Sequence, residues 1–183
     1  MSLKLIIGCM FSGKTTEIIK IINRLNKINK KVLIITSKLD NRYTNNSICS
    51  HDNLSIKSKS INNDEILSIK NDIEYKNSEY IIIDEAQFFK DLKLFVKYSI
   101  DNLDKHLIVV GLNCDSNQNN FGEIKELYPI AEEIILLKAL CENCKDGTEA
   151  IFSYKKTNNK NIIDIGGENE YAPLCRKCFN SKI

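Results

Sequence analysis

The sequence predicts an α/β fold with a mostly parallel sheet, to which a small C-terminal β lobe is attached. Short apolar runs alternate along the chain with segments whose apolar residues recur at helical spacing, which is the pattern of βαβ units. A glycine-rich turn joins the first apolar run to the first amphipathic segment, and two C-x-x-C pairs follow the last run. We therefore expect a main domain at 1–140 and a lobe at 141–183 in this chain of 183 residues.

The composition is that of a soluble globular protein. Hydrophobic residues make up 43% and charged residues 27% of the chain. A formal net charge of +2 gives no electrostatic reason to expect a nucleic-acid partner. No apolar run approaches the roughly 20 residues of a membrane span, and no signal peptide is recognisable at the start. We expect a cytoplasmic protein with no membrane partner, in a reducing compartment where paired cysteines favour a metal over disulfides.

The first strand and the turn after it match a phosphate-binding loop. The apolar run Leu3–Ile7 leads into Gly8–Thr15, which has the pattern G-x-x-x-x-G-K-[ST] in a strand–loop–helix context. The glycines let backbone N–H groups point at phosphates, while Lys14 supplies positive charge and the Thr15 hydroxyl is a ligand for Mg²⁺. The sequence therefore predicts a nucleoside triphosphate site. Its expected residues are Gly8, Cys9, Met10, Phe11, Ser12, Gly13, Lys14, Thr15 and Thr16.

A helix, a strand and a polar loop follow in that order. Isoleucines and leucines recur at helical spacing through 18–28, and the run 32–35 is the centre of a strand of the kind buried on both faces in parallel sheets. Strand, helix and strand form a βαβ unit with a right-handed crossover. The polar stretch 38–53 is typical of a solvated surface loop. A second interpretation brings Arg42 near the transferred phosphate, where a guanidinium group would stabilise negative charge.

A second chemical signature ends the next strand. The run Tyr80–Ile83 leads into Asp84 and Glu85, the Walker B arrangement in which the aspartate holds Mg²⁺. Glu85 lies at the carboxyl end of the strand, where α/β sheets place their ligands. Two roles are open for Glu85: it polarises a water molecule, as in motor-type ATPases, or it accepts the proton of a substrate hydroxyl, as in kinases. Phe88 and Phe89 are either core residues, which is the default for an aromatic pair, or a platform for a planar base.

Shorter patterns predict the remaining elements of the main domain. Residues 55–61 alternate weakly, as in an edge strand, and buried strands are expected at 106–112 and 134–140. Short helices are expected at 64–71, 92–103 and 124–133, the last of them broken near Pro129. The strand at 134–140 is expected to be the last of the main sheet.

Four cysteines near the C-terminus have the spacing of a structural zinc site. Each C-x-x-C pair presents two thiolates from one tight turn, and two pairs complete a tetrahedron. Four protein ligands leave no open position, so the Zn²⁺ would be structural and not catalytic. Strands are expected between the pairs at 150–155 and 161–165, followed by an ordered loop or a flexible lid. The expected ligands are Cys141, Cys144, Cys175 and Cys178.

The combination of motifs resembles the type II thymidine kinases, a small zinc-containing family. This resemblance implies a RecA-like P-loop NTPase fold and transfer of the γ-phosphoryl group of ATP to the 5′-hydroxyl of thymidine. The product, thymidine monophosphate, would serve DNA synthesis by salvage. The residues that carry the resemblance, in the family's order, are Gly8–Thr16, Asp40–Tyr43, His51, Asp52, Asp84–Phe89, Phe121, Gly122, the two cysteine pairs, Ile165–Gly167 and Tyr171.

The resemblance also implies roles for individual residues. Glu85 matches the family's general base for the 5′-hydroxyl, which favours the kinase role among the two left open by spacing. Lys14 and Arg42 match catalytic groups at the phosphates. The other matched positions are those of the Mg²⁺ ligands, Thr15 and Asp84, and of a further ATP-binding residue, Gln87.

In this family a lasso-like loop of the zinc lobe closes over the nucleoside. The matching segment here is Ile162–Gly166, and such a lid would exclude water and protect ATP from hydrolysis. Ser116 aligns where many relatives carry an aromatic residue near the base, or the register is shifted there; Asp164 aligns with a commonly apolar position. The positions matched to substrate-binding residues are Met10, Phe88, Leu112, Ser116, Phe121, Ser153, Ile162, Ile163, Asp164, Ile165, Gly166 and Tyr171.

Assembly and regulation are implied by the resemblance alone: a homotetramer, with thymidine triphosphate as a feedback inhibitor. Two other classes of protein compete with a thymidine kinase. A nucleic-acid-dependent ATPase with a structural zinc would use the same Asp84 and Glu85 pair, but the near-neutral charge and the lack of a clustered basic stripe argue against it. A nucleotide sensor without turnover would have no need of Glu85.

Overall fold

A six-stranded sheet forms the centre of the protein. The structure, a computed structural model, describes residues 1–39, 47–49, 55–157, 167 and 169–182. The strands are β1 (Ser2–Gly8), β2 (Val32–Ser37), β3 (Ser47–Cys49), β4 (Ser55–Lys57), β5 (Lys59–Ile61), β6 (Tyr80–Ile83), β7 (His106–Gly111), β8 (Glu133–Leu137), β9 (Ala139–Leu140), β10 (Glu149–Ala150), β11 (Phe152–Lys155) and β12 (Tyr171–Leu174). The α-helices are α1 (Lys14–Lys27), α2 (Ile73–Asn77), α3 (Leu92–Asp101) and α4 (Arg176–Asn180). Segments of 3₁₀ helix span Ile66–Asn71, Ala86–Phe88 and Ile124–Ile130.

The central sheet has the strand order β5-β2-β6-β7-β1-β8, and all its neighbouring strands pair in parallel. The prediction of a mostly parallel α/β sheet is therefore confirmed. Because the strands run the same way, their carboxyl ends meet at one edge, where α/β folds bind ligands. Strand β7 lies between β1 and β6, so the loops that follow β1 and β6 start about 10 Å apart, which is two strand spacings.

Both faces of the sheet are buried, which explains the uninterrupted apolar runs. In β6, Ile82 packs in one cluster with Ile18 and Ile22 of α1, whereas Ile81 and Ile83 pack in a second cluster with residues of α2 and α3. Successive residues of a strand point to opposite faces, so a strand covered on both sides needs apolar side chains at every position. Within the described ranges, no helix has the length and apolar character that crossing a bilayer requires.

Two segments differ from what the sequence predicts. The apolar run at 134–140 forms two strands: β8 pairs with β1 in the central sheet, whereas β9 pairs antiparallel with β10 outside it. The run 55–61, expected as one edge strand, also forms two strands: β4 pairs antiparallel with β3, whereas β5 pairs with β2 at the edge of the central sheet. The helix expected at 124–133 ends at Ile130, one residue after Pro129, in agreement with the expected break near the proline. Strand β11 pairs antiparallel with β12. The strand expected at 161–165 lies outside the described residues, and the division at residue 140 stays a prediction.

Candidate active site

The loop between β1 and α1 has the tight geometry of a phosphate cradle. A Cβ atom on Gly8 would lie 2.5 Å from Ser12 Oγ and 2.6 Å from the carbonyl oxygen of Leu137, so only glycine fits there. Gly13 has a φ of +82°, in the left-handed region that glycine adopts without strain, and α1 begins at the next residue. The N-terminus of α1 and the backbone N–H groups of the loop therefore lie together at the carboxyl edge of the sheet.

Two side chains of this loop fit a bound phosphate chain. The Nζ atom of Lys14 donates to the carbonyl oxygens of Cys9, at 2.8 Å, and of Gly8, at 3.2 Å, so the buried ammonium group lies against the loop. The Oγ atom of Ser12 is buried and, among the described residues, finds no hydrogen-bond partner. An unsatisfied buried hydroxyl is costly, and an anionic oxygen held in the loop would satisfy it. The loop therefore fits the triphosphate that its motif predicts.

Two acidic residues follow β6 at the same edge of the sheet. The backbone N–H of Asp84 donates to the Ile35 carbonyl at 2.9 Å, which continues the ladder between β6 and β2. The Asp84 side chain is buried, and its Oδ1 atom accepts a hydrogen bond from the Glu85 N–H at 2.9 Å. Glu85 has a left-handed φ of 50°, a conformation that clusters at functional sites when the residue is not glycine. A buried carboxylate is a ligand that suits Mg²⁺, and the hydroxyl of Thr15 in the first turn of α1 is a second such ligand.

Gln87 is buried between Glu85 and the end of β7. Its Nε2 atom donates to Glu85 Oε2 at 2.5 Å, and its Oε1 atom accepts from the Leu112 N–H at 3.1 Å. The sequence motif groups Gln87 with the nucleotide and does not predict either contact. The sequence signal for a close contact at Gln87 was the pair of glycines Gly111 and Gly122. A Cβ on Gly111 would lie 2.5 Å from Gln87 Oε1, and one on Gly122 would lie 2.2 Å from the Gln87 carbonyl oxygen.

The structure brings together two aromatic residues that were expected at the base. The ring centroids of Phe88 and Phe121 lie 5.5 Å apart with the planes at 90°, a favourable edge-to-face contact. Phe121 and Leu112 also line a cavity of about 220 Å³. Its mixture of apolar, amide and ammonium groups suits a small polar molecule. The other lining residues are Asn113, Asn120, Ile124, Lys125 and Tyr128.

An aspartate that the motifs do not single out fixes the turn that carries Ser116. The Oδ1 atom of Asp115 accepts hydrogen bonds from the N–H groups of Asn117, at 2.9 Å, and Asn119, at 2.8 Å. Burial, together with the neighbouring Asp115 charge, raises the pKa of the Cys114 thiol to about 11. Ser116 is half-buried in this turn, which lies in the chain between two residues that line the cavity, Asn113 and Asn120.

The C-terminal lobe packs directly against the phosphate loop. The N–H of Met10 donates to Ser153 Oγ on β11 at 2.9 Å, and the Cys9 thiol donates to the Ala150 carbonyl on β10 at 3.4 Å. Burial raises the pKa of Cys9, so the thiol keeps the proton that this bond requires. Cys9 and the half-buried Phe11 pack in the same apolar cluster as the cysteines of the lobe. Two residues expected at the substrate, Met10 and Ser153, are thus hydrogen-bonded to each other.

The four cysteines of the predicted metal site converge in the lobe. Their sulfur atoms all lie within 4.8 Å of one another, and Cys144 Sγ lies 3.8 Å from Cys175 Sγ and 3.4 Å from Cys178 Sγ. A tetrahedral zinc ion with Zn–S bonds of about 2.3 Å needs sulfur–sulfur distances of about 3.8 Å. Burial would raise the pKa of Cys141, but backbone N–H donors, including that of Cys175 at 3.3 Å, lower it to about 6. The cluster fits Zn²⁺ and leaves no position for a substrate.

Of the other predicted site residues, the structure describes two, and the rest lie outside the described residues. Tyr171 is described: it lies on β12, is buried and pairs with Lys155. Thr16 is exposed in the first turn of α1. The predictions that fall outside the described residues concern Asp40–Tyr43 with Arg42, His51, Asp52, Ile162, Ile163, Asp164, Ile165 and Gly166.

Comparisons with known proteins give the family of the chain. A family model described as thymidine kinase matches residues 1–179. The chain is 45% identical to a thymidine kinase of Amsacta moorei entomopoxvirus, over 99% of each chain. It is 40% identical to one of Fowlpox virus, over 98% of this chain and 97% of the relative, and 35% identical to one of Bacteroides thetaiotaomicron, over 97% and 86%. With its phosphate loop, paired acidic residues and cysteine cluster, the chain belongs to the thymidine kinase family of enzymes.

Proposed function

We propose that the protein transfers the γ-phosphoryl group of ATP to the 5′-hydroxyl group of thymidine, giving thymidine monophosphate for DNA synthesis by salvage. Membership of the family supports this reaction. The observation that carries it is the position of Glu85. This carboxylate directly follows the buried Asp84, at the sheet edge that also bears the phosphate loop. An alcohol is a weak nucleophile until a base takes its proton, and Glu85 is the carboxylate available for that step.

Glu85 acts as the general base in this proposal. As the 5′-oxygen forms its bond to the γ-phosphorus, the bond from that phosphorus to the β,γ-bridging oxygen breaks, and the hydroxyl proton passes to the Glu85 carboxylate. Lys14 and the N–H groups of the loop hold the phosphates, while Arg42 stabilises the charge of the transferring group. Thr15 and Asp84 would hold Mg²⁺, whose charge would offset that of the phosphates.

The nucleoside lies between the phosphate loop and the aromatic pair of Phe88 and Phe121. Apolar contacts of these rings with a pyrimidine, and backbone groups of the lasso Ile162–Gly166, give recognition of the base. Exclusion of water by that loop would favour transfer to the alcohol over hydrolysis of ATP. The remaining contacts in this proposal come from Met10, Leu112, Ser116, Ser153 and Tyr171.

Metal content, assembly and regulation complete the proposal. Zn²⁺ on the four cysteines is structural, because its ligands fill a tetrahedron. The catalytic domain comprises 1–140 and the zinc lobe 141–183. The enzyme is a cytoplasmic homotetramer that thymidine triphosphate inhibits, as the family resemblance implies.

Replacement of the base tests the proposed chemistry. Glu85→Gln keeps the size of the side chain but removes its ability to accept the proton, so we expect turnover with ATP, Mg²⁺ and thymidine to fall about 100- to 10,000-fold. ATP affinity, measured by equilibrium binding, should stay within about threefold because Glu85 touches the acceptor. Glu74→Gln, at an exposed glutamate beyond the site, is the control. Unchanged turnover of Glu85→Gln would remove Glu85 as the base.

A screen of acceptors tests the substrate class. We expect thymidine to be the preferred acceptor among the deoxynucleosides, with the 5′-monophosphate as the product. ATP hydrolysis that DNA stimulates, with no transfer to any nucleoside, would overturn the kinase assignment in favour of a nucleic-acid-dependent ATPase.

A further inference from the structure

We propose that Gln87 is a positioning residue for Glu85, and that it ties the base to the start of the loop that carries Phe121. The inference rests on the proposed role of Glu85 and gives Gln87 a task other than contact with the nucleotide. Its support is a hydrogen-bonded chain from Glu85 through the Gln87 amide to Leu112.

The orientation of the Gln87 amide follows from its neighbours. The Leu112 N–H is a backbone donor, so the group facing it at 3.1 Å must be the amide oxygen. The amide nitrogen then faces Glu85 Oε2 at 2.5 Å, and an ionised carboxylate is an acceptor. Both hydrogen bonds require the same orientation, so the amide donates to Glu85 without bringing a positive charge to the base.

Packing holds the Gln87 side chain in this place. Only 3% of its surface is exposed. Gly111 lies so close to the side chain that a Cβ atom there would be 2.5 Å from Gln87 Oε1. Gly122 packs in the same way against the backbone of Gln87, where a Cβ atom would be 2.2 Å from the carbonyl oxygen. A buried side chain with both polar ends bonded to protein is a rigid support.

Glu85 needs such a support because of its backbone. It lies in a turn with a left-handed φ of 50°, at the end of β6, and is partly exposed. A general base acts only when its oxygen is within hydrogen-bond reach of the proton, and a displacement of about 1 Å can cost about 100-fold in rate. The amide fixes Oε2 of Glu85 relative to Leu112, which lines the same cavity as Phe121. The base and the residues proposed to contact the nucleoside therefore share one anchor.

The test is a split between turnover and affinity in Gln87→Met, which keeps the length of the side chain and removes both hydrogen bonds. We expect kcat to fall about 10- to 100-fold, while the KM values for ATP and thymidine change less than threefold. Lys97→Met, at an exposed lysine of α3, is the control. A rise of tenfold or more in the KM for ATP with unchanged kcat would make Gln87 a nucleotide contact and overturn the proposal.

A double-mutant cycle shows whether Gln87 acts through Glu85. If it does, the variant that combines Gln87→Met with Glu85→Gln should turn over within about twofold of Glu85→Gln alone. Losses that multiply would overturn the positioning role and leave Glu85 as the base. Unchanged turnover of Glu85→Gln alone would instead remove Glu85 as the base, which is a failure of the proposed chemistry and not of the Gln87 contact. If Gln87→Met does not fold, Gly111→Ala replaces it in the cycle, because its Cβ displaces the Gln87 amide oxygen.

Discussion

At the scale of single residues, two glycines with left-handed backbones differ in what surrounds them. Gly13 has a φ of +82° and open space around its missing Cβ, whereas Gly122 has a φ of +61° and the Gln87 carbonyl oxygen 2.2 Å from that position. A side chain at Gly13 would therefore cause conformational strain but no steric overlap. At Gly122 it acts together with a steric overlap that involves backbone.

The difference predicts unequal losses of stability. Gly13→Ala should lower the free energy of unfolding by about 1 to 2 kcal/mol, the cost of a left-handed residue with a Cβ. Gly122→Ala should lower it by more than about 3 kcal/mol, because backbone must also move. Urea unfolding of the two variants and the unchanged protein measures this. Equal losses would show that the contact with Gln87 relaxes freely.

The sequence identifies the chemical groups of single residues better than their partners. Asp84 and Glu85 are predictable because an apolar strand ends in two acids. The contact of Gln87 with Leu112 is not, since the two lie 25 positions apart and meet only when β6 and β7 pair. The family resemblance matches Gln87 to an ATP-binding position, and the contacts of its amide with Glu85 and Leu112 are visible only in the fold.

At the scale of elements, the phosphate loop is supported by β10 and β11 from the lobe. The Met10 N–H to Ser153 Oγ bond and the Cys9 thiol to Ala150 carbonyl bond join the two. Backbone N–H groups of such a loop donate hydrogen bonds to phosphate oxygens, so their positions affect nucleotide affinity.

Ser153→Ala tests this support. We expect the KM for ATP to rise about threefold to tenfold, and the free energy of unfolding to fall by about 1 kcal/mol, because the Met10 N–H loses its partner. Ser68→Ala removes a side chain-to-backbone hydrogen bond from an exposed serine and is the control. An unchanged KM for ATP in Ser153→Ala would mean that the loop holds its shape without the lobe.

The elements and the main sheet were largely predictable, but the assignment of the strands at 134–140 to two sheets was not. Buried strands such as β6 appear as continuous apolar runs because both of their faces are covered. The run at 134–140 looks like one such strand, yet β8 and β9 belong to different sheets. The apolar pattern of a strand indicates its burial but not its pairing partner. The pattern therefore does not show that the chain changes from one sheet to another near Lys138.

At the scale of the whole molecule, the packing around the cysteine cluster extends beyond the C-terminal lobe. Cys9 of the phosphate loop packs in the same apolar cluster as Cys141, Cys175 and Cys178. Structural zinc sites contribute folding free energy outright, on the order of 10 kcal/mol in small zinc domains. Loss of the metal should therefore loosen the loop that we propose to bind ATP.

Removal of zinc by a chelator tests the coupling. We expect one zinc per chain in the isolated protein, faster amide hydrogen exchange at Met10 after chelation, and loss of kinase activity that returns with added Zn²⁺. Cys114→Ser should keep its zinc, because Cys114 is not in the cluster, whereas Cys144→Ser should lose it. Exchange at Met10 that stays unchanged without zinc would separate the metal from the nucleotide site.

The pairing of β1 has a consequence for synthesis on the ribosome. Ser2 pairs with His106 and Lys4 with Glu133, so the earliest strand of the sheet finds neither neighbour until more than half of the chain has been made. At about 5 to 20 residues per second the wait lasts about 5 to 20 seconds, with an apolar strand unpaired on both edges. Nascent chains arrested before β7 should therefore bind chaperones or aggregate, and release from that state should begin only after β7 emerges.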